Sequence, residues 1–102
     1  LHDLWIKVLA LEDEQSHRAV VLTCDLIGFS RPAYLDLCRR LQEKYGLEPR
    51  QVMLTFSHTH SGPILRESLL DYFPLDAEAL ARIDAYSRRL EDQIVAAVGK
   101  AL

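Results

Sequence analysis

The feature that most constrains this chain is a strand–helix–strand pattern between residues 19 and 56. Ala19 to Cys24 (Ala-Val-Val-Leu-Thr-Cys) is a short apolar, β-branched run, which predicts a buried strand. Ser30 then stands as a helix N-cap, with Pro32 in the first turn, where the missing N–H of proline has no bond to lose. Tyr34, Cys38, Leu41 and Tyr45 recur at helical spacing, Leu35 and Leu37 widen the stripe, and Gly46 ends the helix. After the loop Leu47 to Gln51, Val52 to Phe56 is a second apolar run. A strand, a helix and a strand in this length predict a βαβ unit, with parallel strands and a right-handed crossover.

The flanks add to that unit. Leu4 to Leu11 is dense in apolar residues with one charge, Lys7, and predicts a strand covered on both faces. The polar stretch Glu12 to Arg18 is too short for a parallel crossover, so this strand and the next form an antiparallel hairpin. Beyond Pro63, Leu65 to Tyr72 reads as a short helix or an irregular segment. Asp76 caps a last helix from Ala77 to near Ala101. Its apolar stripe is Leu80, Ile83, Leu90, Ile94, Ala97 and Val98, with Arg82, Arg88 and Glu91 outside it. The expected fold is α/β: a β-hairpin, a βαβ unit and a C-terminal helix, part of a larger mixed sheet with helices packed on it. The chain starts at Leu1 and enters a strand pattern almost at once, so it reads as a segment of a longer protein.

Composition narrows the function classes. The chain of 102 residues is 49% hydrophobic and 26% charged, ordinary for a globular domain. A formal charge of −3 and the lack of a Lys/Arg cluster argue against a nucleic-acid partner. Arg39-Arg40 and Arg88-Arg89 read as solvated helix faces. No apolar run approaches the roughly 20 residues that span a bilayer. Cys24 and Cys38 form no Cys-X-X-Cys pair and read as buried free thiols.

Chemistry concentrates in Ser57-His58-Thr59-His60-Ser61-Gly62-Pro63, just past the last strand. In extended backbone His58 and His60 project to one side and Thr59 to the other. Two imidazoles so placed share a metal ion, or one holds the metal while the other meets a substrate. The alternative is a pair of polar residues in a Ser/Thr/Gly/Pro surface loop. Asp25, at the end of the preceding parallel strand, is expected on the same sheet edge. There it either ligates the metal, accepts from an imidazole N–H, or acts as a turn residue. His17 belongs to the hairpin turn, and His2 precedes the first strand. Leu69, Leu70, Tyr72 and Phe73 read as core, with the wall of a lipid entrance as the alternative. The pattern is not His-X-His-X-Asp-His, because Gly62 and Pro63 fill the last two positions. There is no second His-X-Thr/Ser element, no Walker-type loop and no Gly-X-Ser-X-Gly elbow.

The runs His2-Asp3-Leu4-Trp5, Val20 to Gly28, and Val52 to Leu54 followed by Ser57 to Pro63 together resemble the neutral/alkaline (non-lysosomal) ceramidase family. The resemblance covers roughly the first two thirds of the chain. It implies residues 1–102 to be one piece of the N-terminal catalytic domain of a zinc-dependent amidase, incomplete at both ends. The implied reaction is cleavage of the N-acyl bond of ceramide or a related N-acyl lipid. It implies Zn2+ as cofactor with His58 as a ligand. His60 is implied to act in catalysis beside the metal, and His60, Ser61 and Gly62 to bind substrate. The family's second His, its Glu and Tyr ligands, and its active-site Arg and Ser have no counterpart among these residues. By resemblance the protein is secreted or at a membrane surface, with peripheral contact through parts outside this segment. A non-catalytic α/β domain with a structural His-Thr-His loop, and another His-X-His hydrolase such as a phosphoesterase, are the rival expectations.

Overall fold

A computed structural model describes residues 3–102. Strands β1 (Ile6–Glu12) and β2 (Arg18–Cys24) are followed by helix α1 (Arg31–Tyr45), strand β3 (Val52–Phe56) and helix α2 (Ala77–Ala101). Single 3-10 turns lie at Pro49–Gln51 and Leu70–Tyr72. The sheet is mixed and runs β1-β2-β3. β1 and β2 are antiparallel, with Ile6 opposite Cys24 and Glu12 opposite Arg18. β2 and β3 are parallel, with Val20 opposite Val52 and Cys24 opposite Phe56. Both the hairpin and the βαβ unit follow the expected topology.

Local chemistry sets the joints. Asp13 organises the hairpin turn: its Oδ1 accepts from the backbone N–H of Gln15 and His17, and its Oδ2 meets His17 Nδ1 at 2.9 Å. Those bonds, the ring of His17 first, hold the Asp13 carboxyl below the ordinary carboxylate range. Ser30 caps α1 by accepting from Ala33 N, a contact worth about 1 kcal/mol. Gly46 takes the left-handed conformation (φ 69°) that closes the helix. Asp76 caps α2 through Ala79 N.

One face of the sheet carries the core. Val20, Leu22 and Cys24 of β2 pack with Leu37 and Leu41 of α1 and with Ile94 and Val98 of α2, all buried. Each buried aliphatic side chain here contributes about 1.5–3 kcal/mol. Tyr45 joins the two helices by donating its hydroxyl to the carbonyl of Val95.

Four expectations need correction. β1 begins at Ile6 and is not covered on both faces, because both helices lie on the same side of the sheet. Leu9 and Leu11 of β1 and Met53 of β3 stand exposed on the other side. Leu35 lies outside the buried stripe of α1, since it is 200° around the helix from Leu37 at 100° per residue. Leu80, near the start of α2, is exposed where the stripe was expected to be covered. Glu91, expected on the solvent face of α2, is 4% exposed. It is buried because Arg66 reaches it from the loop before α2.

Candidate functional site

The candidate site forms where β3 ends. Ser57 N–H donates to the carbonyl of Cys24 at 3.0 Å, extending the parallel ladder by one step. The next residue, His58, turns left-handed with φ 56° and stops the strand. A non-glycine residue in that conformation is uncommon and costs roughly 1–2 kcal/mol. The bond that holds it there runs from the His58 ring to the loop leaving β2: Nδ1 lies 2.8 Å from the carbonyl oxygen of Ile27. A carbonyl only accepts, so Nδ1 carries a proton, and in the neutral ring the lone pair is on Nε2.

His60 completes the pair. Its ring centroid is 5.1 Å from that of His58, at an interplanar angle of 78°, and both residues are exposed. The two rings are therefore adjacent, as expected, but the cause differs from the expected one. Strand alternation does not apply, because the strand ends at Phe56; the left-handed turn at His58 makes the juxtaposition. Thr59 is half-buried between them, and its Oγ1 accepts from Ser61 N–H at 3.2 Å.

Both imidazoles open onto a cavity of about 460 Å³. Thr59, Gly62 and Pro63 line it beside them, and its remaining wall is mostly apolar: Ile27, Ile64 and Leu65, then Leu69, Tyr72 and Phe73. Gly62 packs beside Thr59: an added Cβ would stand 3.5 Å from Thr59 Cγ2, an ordinary contact. Ser61 is exposed and is not part of the lining. Leu69, Tyr72 and Phe73 are 39%, 79% and 48% exposed, so the core reading of these residues does not hold. The 3-10 turn Leu70–Tyr72 buries no residue, Leu70 is half-buried, and of this loop only Leu65 enters the core.

Asp25 does not orient an imidazole. Its Oδ2 accepts from Trp5 N–H at 3.0 Å and its own N–H donates to the Trp5 carbonyl at 2.9 Å, which fastens the start of β1 to the end of β2. The Ile27 carbonyl takes the orienting role. Nothing in the sequence marked it, since a backbone oxygen leaves no residue-type signal. Cys24 and Cys38 are buried free thiols. Burial, then the charge of Asp25, pushes the Cys24 thiol up to about 11. His17 sits in the hairpin turn, and His2 lies outside the described residues.

The donor set fits a zinc ion in part. His58 offers Nε2 with its tautomer fixed from behind, the arrangement that metal-bound histidines favour, and His60 stands beside it. Among the described residues no group of three or more His, Cys, Asp or Glu side chains converges, and no helix is long and apolar enough to cross a membrane. Comparison with family models, curated proteins and solved structures finds no match for this chain.

Proposed function

We propose that this chain supplies part of the active site of a zinc-dependent amidohydrolase of ceramidase type, acting on ceramide or a related N-acyl lipid. The single observation that carries the reading is the juxtaposition of His58 and His60, 5.1 Å apart, at the mouth of a largely apolar cavity. The uncovered face of the sheet, with Leu9, Leu11 and Met53 exposed beside Lys7, Thr23 and Thr55, supports membership of a larger domain, because sheets with parallel strands are commonly covered on both faces.

In this reading His58 holds the metal through Nε2, and the Ile27 carbonyl, by accepting from Nδ1, selects the tautomer of the neutral ring that has its lone pair on that nitrogen. When bound, Zn2+ supplies a Lewis acid that polarises the amide carbonyl and brings a water into the neutral range of ionisation. His60 has no hydrogen-bond partner among the described residues, which leaves its ring to donate to the scissile amide or to carry a proton. Gly62 meets the polar end of the substrate, with Ser61 at the rim outside the lining, and Leu69, Tyr72 and Phe73 lie along its acyl chain. The remaining ligands come from residues beyond this chain.

A second reading has its own observation. The His58–Ile27 bond is also what a structural imidazole makes in a non-catalytic domain. Zinc content and turnover of an N-acyl sphingosine by the intact polypeptide separate the two. Bound zinc that is lost in His58→Ala, with amide but not phosphodiester hydrolysis, supports the amidase. A zinc-free, inactive protein overturns it.

A further inference from the structure

In sequence Arg66 stands between the histidine turn and the residues of the apolar wall, and both its side chain and its backbone are anchored to α2. Its Nε donates to Glu91 Oε1 at 2.7 Å and its Nη2 to Glu91 Oε2 at 3.0 Å, a paired contact that fixes the guanidinium plane. Its backbone N–H donates to Ser87 Oγ at 2.9 Å, and that hydroxyl donates to the Ile83 carbonyl at 2.7 Å. Ser87 and Glu91 are both buried in α2. Asp36 and Arg40 of α1 approach the same pair at 3.7 and 4.0 Å.

Stability alone does not call for this arrangement. A buried ion pair loses much of its attraction to desolvation, and an apolar pair of similar volume is often as stable. What the ion pair adds is direction. Directly after it come two left-handed residues, Glu67 and Leu69, both at φ 57°. Such residues persist only where their surroundings over-determine the backbone. The turn bonds beyond them are modest: Tyr72 N–H to the Leu69 carbonyl at 3.1 Å, and Phe73 N–H to the Leu70 carbonyl at 3.4 Å.

We propose that Arg66 and Glu91 are positioning residues of the candidate site: their ion pair holds residues 67–73 in the conformation that sets Leu69, Tyr72 and Phe73 beside the two imidazoles. The inference deepens the acyl-lipid reading and rests on it for the purpose of the wall, though not for the mechanics of the clamp.

The test replaces the pair in the full chain by an apolar one, Arg66→Met with Glu91→Leu, and reads three quantities. Thermal unfolding is expected to keep its midpoint. Amide exchange at Tyr72 and Phe73 is expected to quicken while the amides of β2 keep their protection. Affinity for a dansyl-labelled medium-chain fatty acid is expected to fall about tenfold, as for a wall correctly placed a tenth of the time. Unchanged exchange at Tyr72 and Phe73 overturns the clamp, whatever the probe does. Absence of probe binding by the unaltered chain overturns the acyl-lipid reading, and exchange then decides the clamp by itself. Should the double variant fail to fold, Arg66→Lys, which keeps the charge and loses the paired contact, is judged on the same exchange readout.

Discussion

His58 donates its Nδ1 proton to the carbonyl of Ile27 at 2.8 Å, and this bond ties the end of β3 to the loop leaving β2. The neighbouring parallel strands thus share one fixed corner, and the free nitrogen of the ring is turned to the cavity side of the chemistry by a backbone atom, not by a carboxylate.

Replacing His58 separates its backbone role from its ring. Glycine takes φ 56° without the left-handed penalty, so His58→Gly regains about 1 kcal/mol while losing a hydrogen bond worth about 1 kcal/mol. His58→Ala keeps the penalty and loses the bond, so it is expected to be less stable than His58→Gly by about 1 kcal/mol. Urea unfolding of the two variants measures the difference; equal stabilities would mean that the left-handed turn is not populated.

Leu69 is predicted to act in opposite directions on stability and on binding. It is left-handed (φ 57°) and partly exposed at the cavity wall. Leu69→Gly should stabilise the fold by about 1 kcal/mol through relief of backbone strain and weaken uptake of a fluorescent fatty acid. Parallel losses of stability and binding would show the leucine to be packing, not lining.

How much of this was legible beforehand depends on how local the cause is. Ser30, Gly46 and Asp76 act on their own neighbours, and each helix end stands where those residues place it. The hairpin followed from the shortness of the link between β1 and β2. By contrast, the burial of Glu91 depends on Arg66, 25 residues away, and no helical periodicity encodes a distant partner. The exposure of Tyr72 and Phe73 depends on where the loop stands relative to both helices, which composition does not specify. At the site, the histidine pair was visible from spacing, whereas the left-handed His58 was not, because histidine carries no conformational mark of the kind glycine does.

Cys24 gives a pH dependence. Its thiol is raised from 9.0 to about 11, by burial first and by the charge of Asp25 second. The unfolded thiol ionises at the lower value, so between pH 9.0 and 11 the folded state holds the extra proton. Its contribution to stability is complete below pH 9.0 and is lost as pH rises through about 11. Denaturation midpoints across this range should fall less steeply in Cys24→Ala than in the parent, and alkylation of native Cys24 at neutral pH should be slow. A slope identical in both proteins would contradict the assignment.

Gly99 makes room for Tyr45. A Cβ at Gly99 would lie 2.7 Å from Tyr45 Cζ and nearer still to its hydroxyl, so Gly99→Ala must push the ring off the Val95 carbonyl. The helix gains about 1 kcal/mol in propensity from the exchange, yet the net effect is expected to be destabilising, by about 1–2 kcal/mol, through overpacking and the lost bond. Thermal unfolding measures it. In Tyr45→Ala the whole ring is absent, and Gly99→Ala should cost much less there; equal costs in both backgrounds would refute the clash.

The central claim is that His58 presents a metal-ready Nε2 beside His60. Zn2+ titration of the chain, followed by long-range proton–nitrogen correlation of the imidazoles, tests it most directly. The account predicts that the His58 Nε2 resonance moves on metal addition while Nδ1 stays protonated against Ile27, that His60 responds in step, and that His58→Gly abolishes the response. Zinc that leaves the His58 ring unmoved, or that perturbs His60 and His17 equally in the presence and absence of His58, would contradict it.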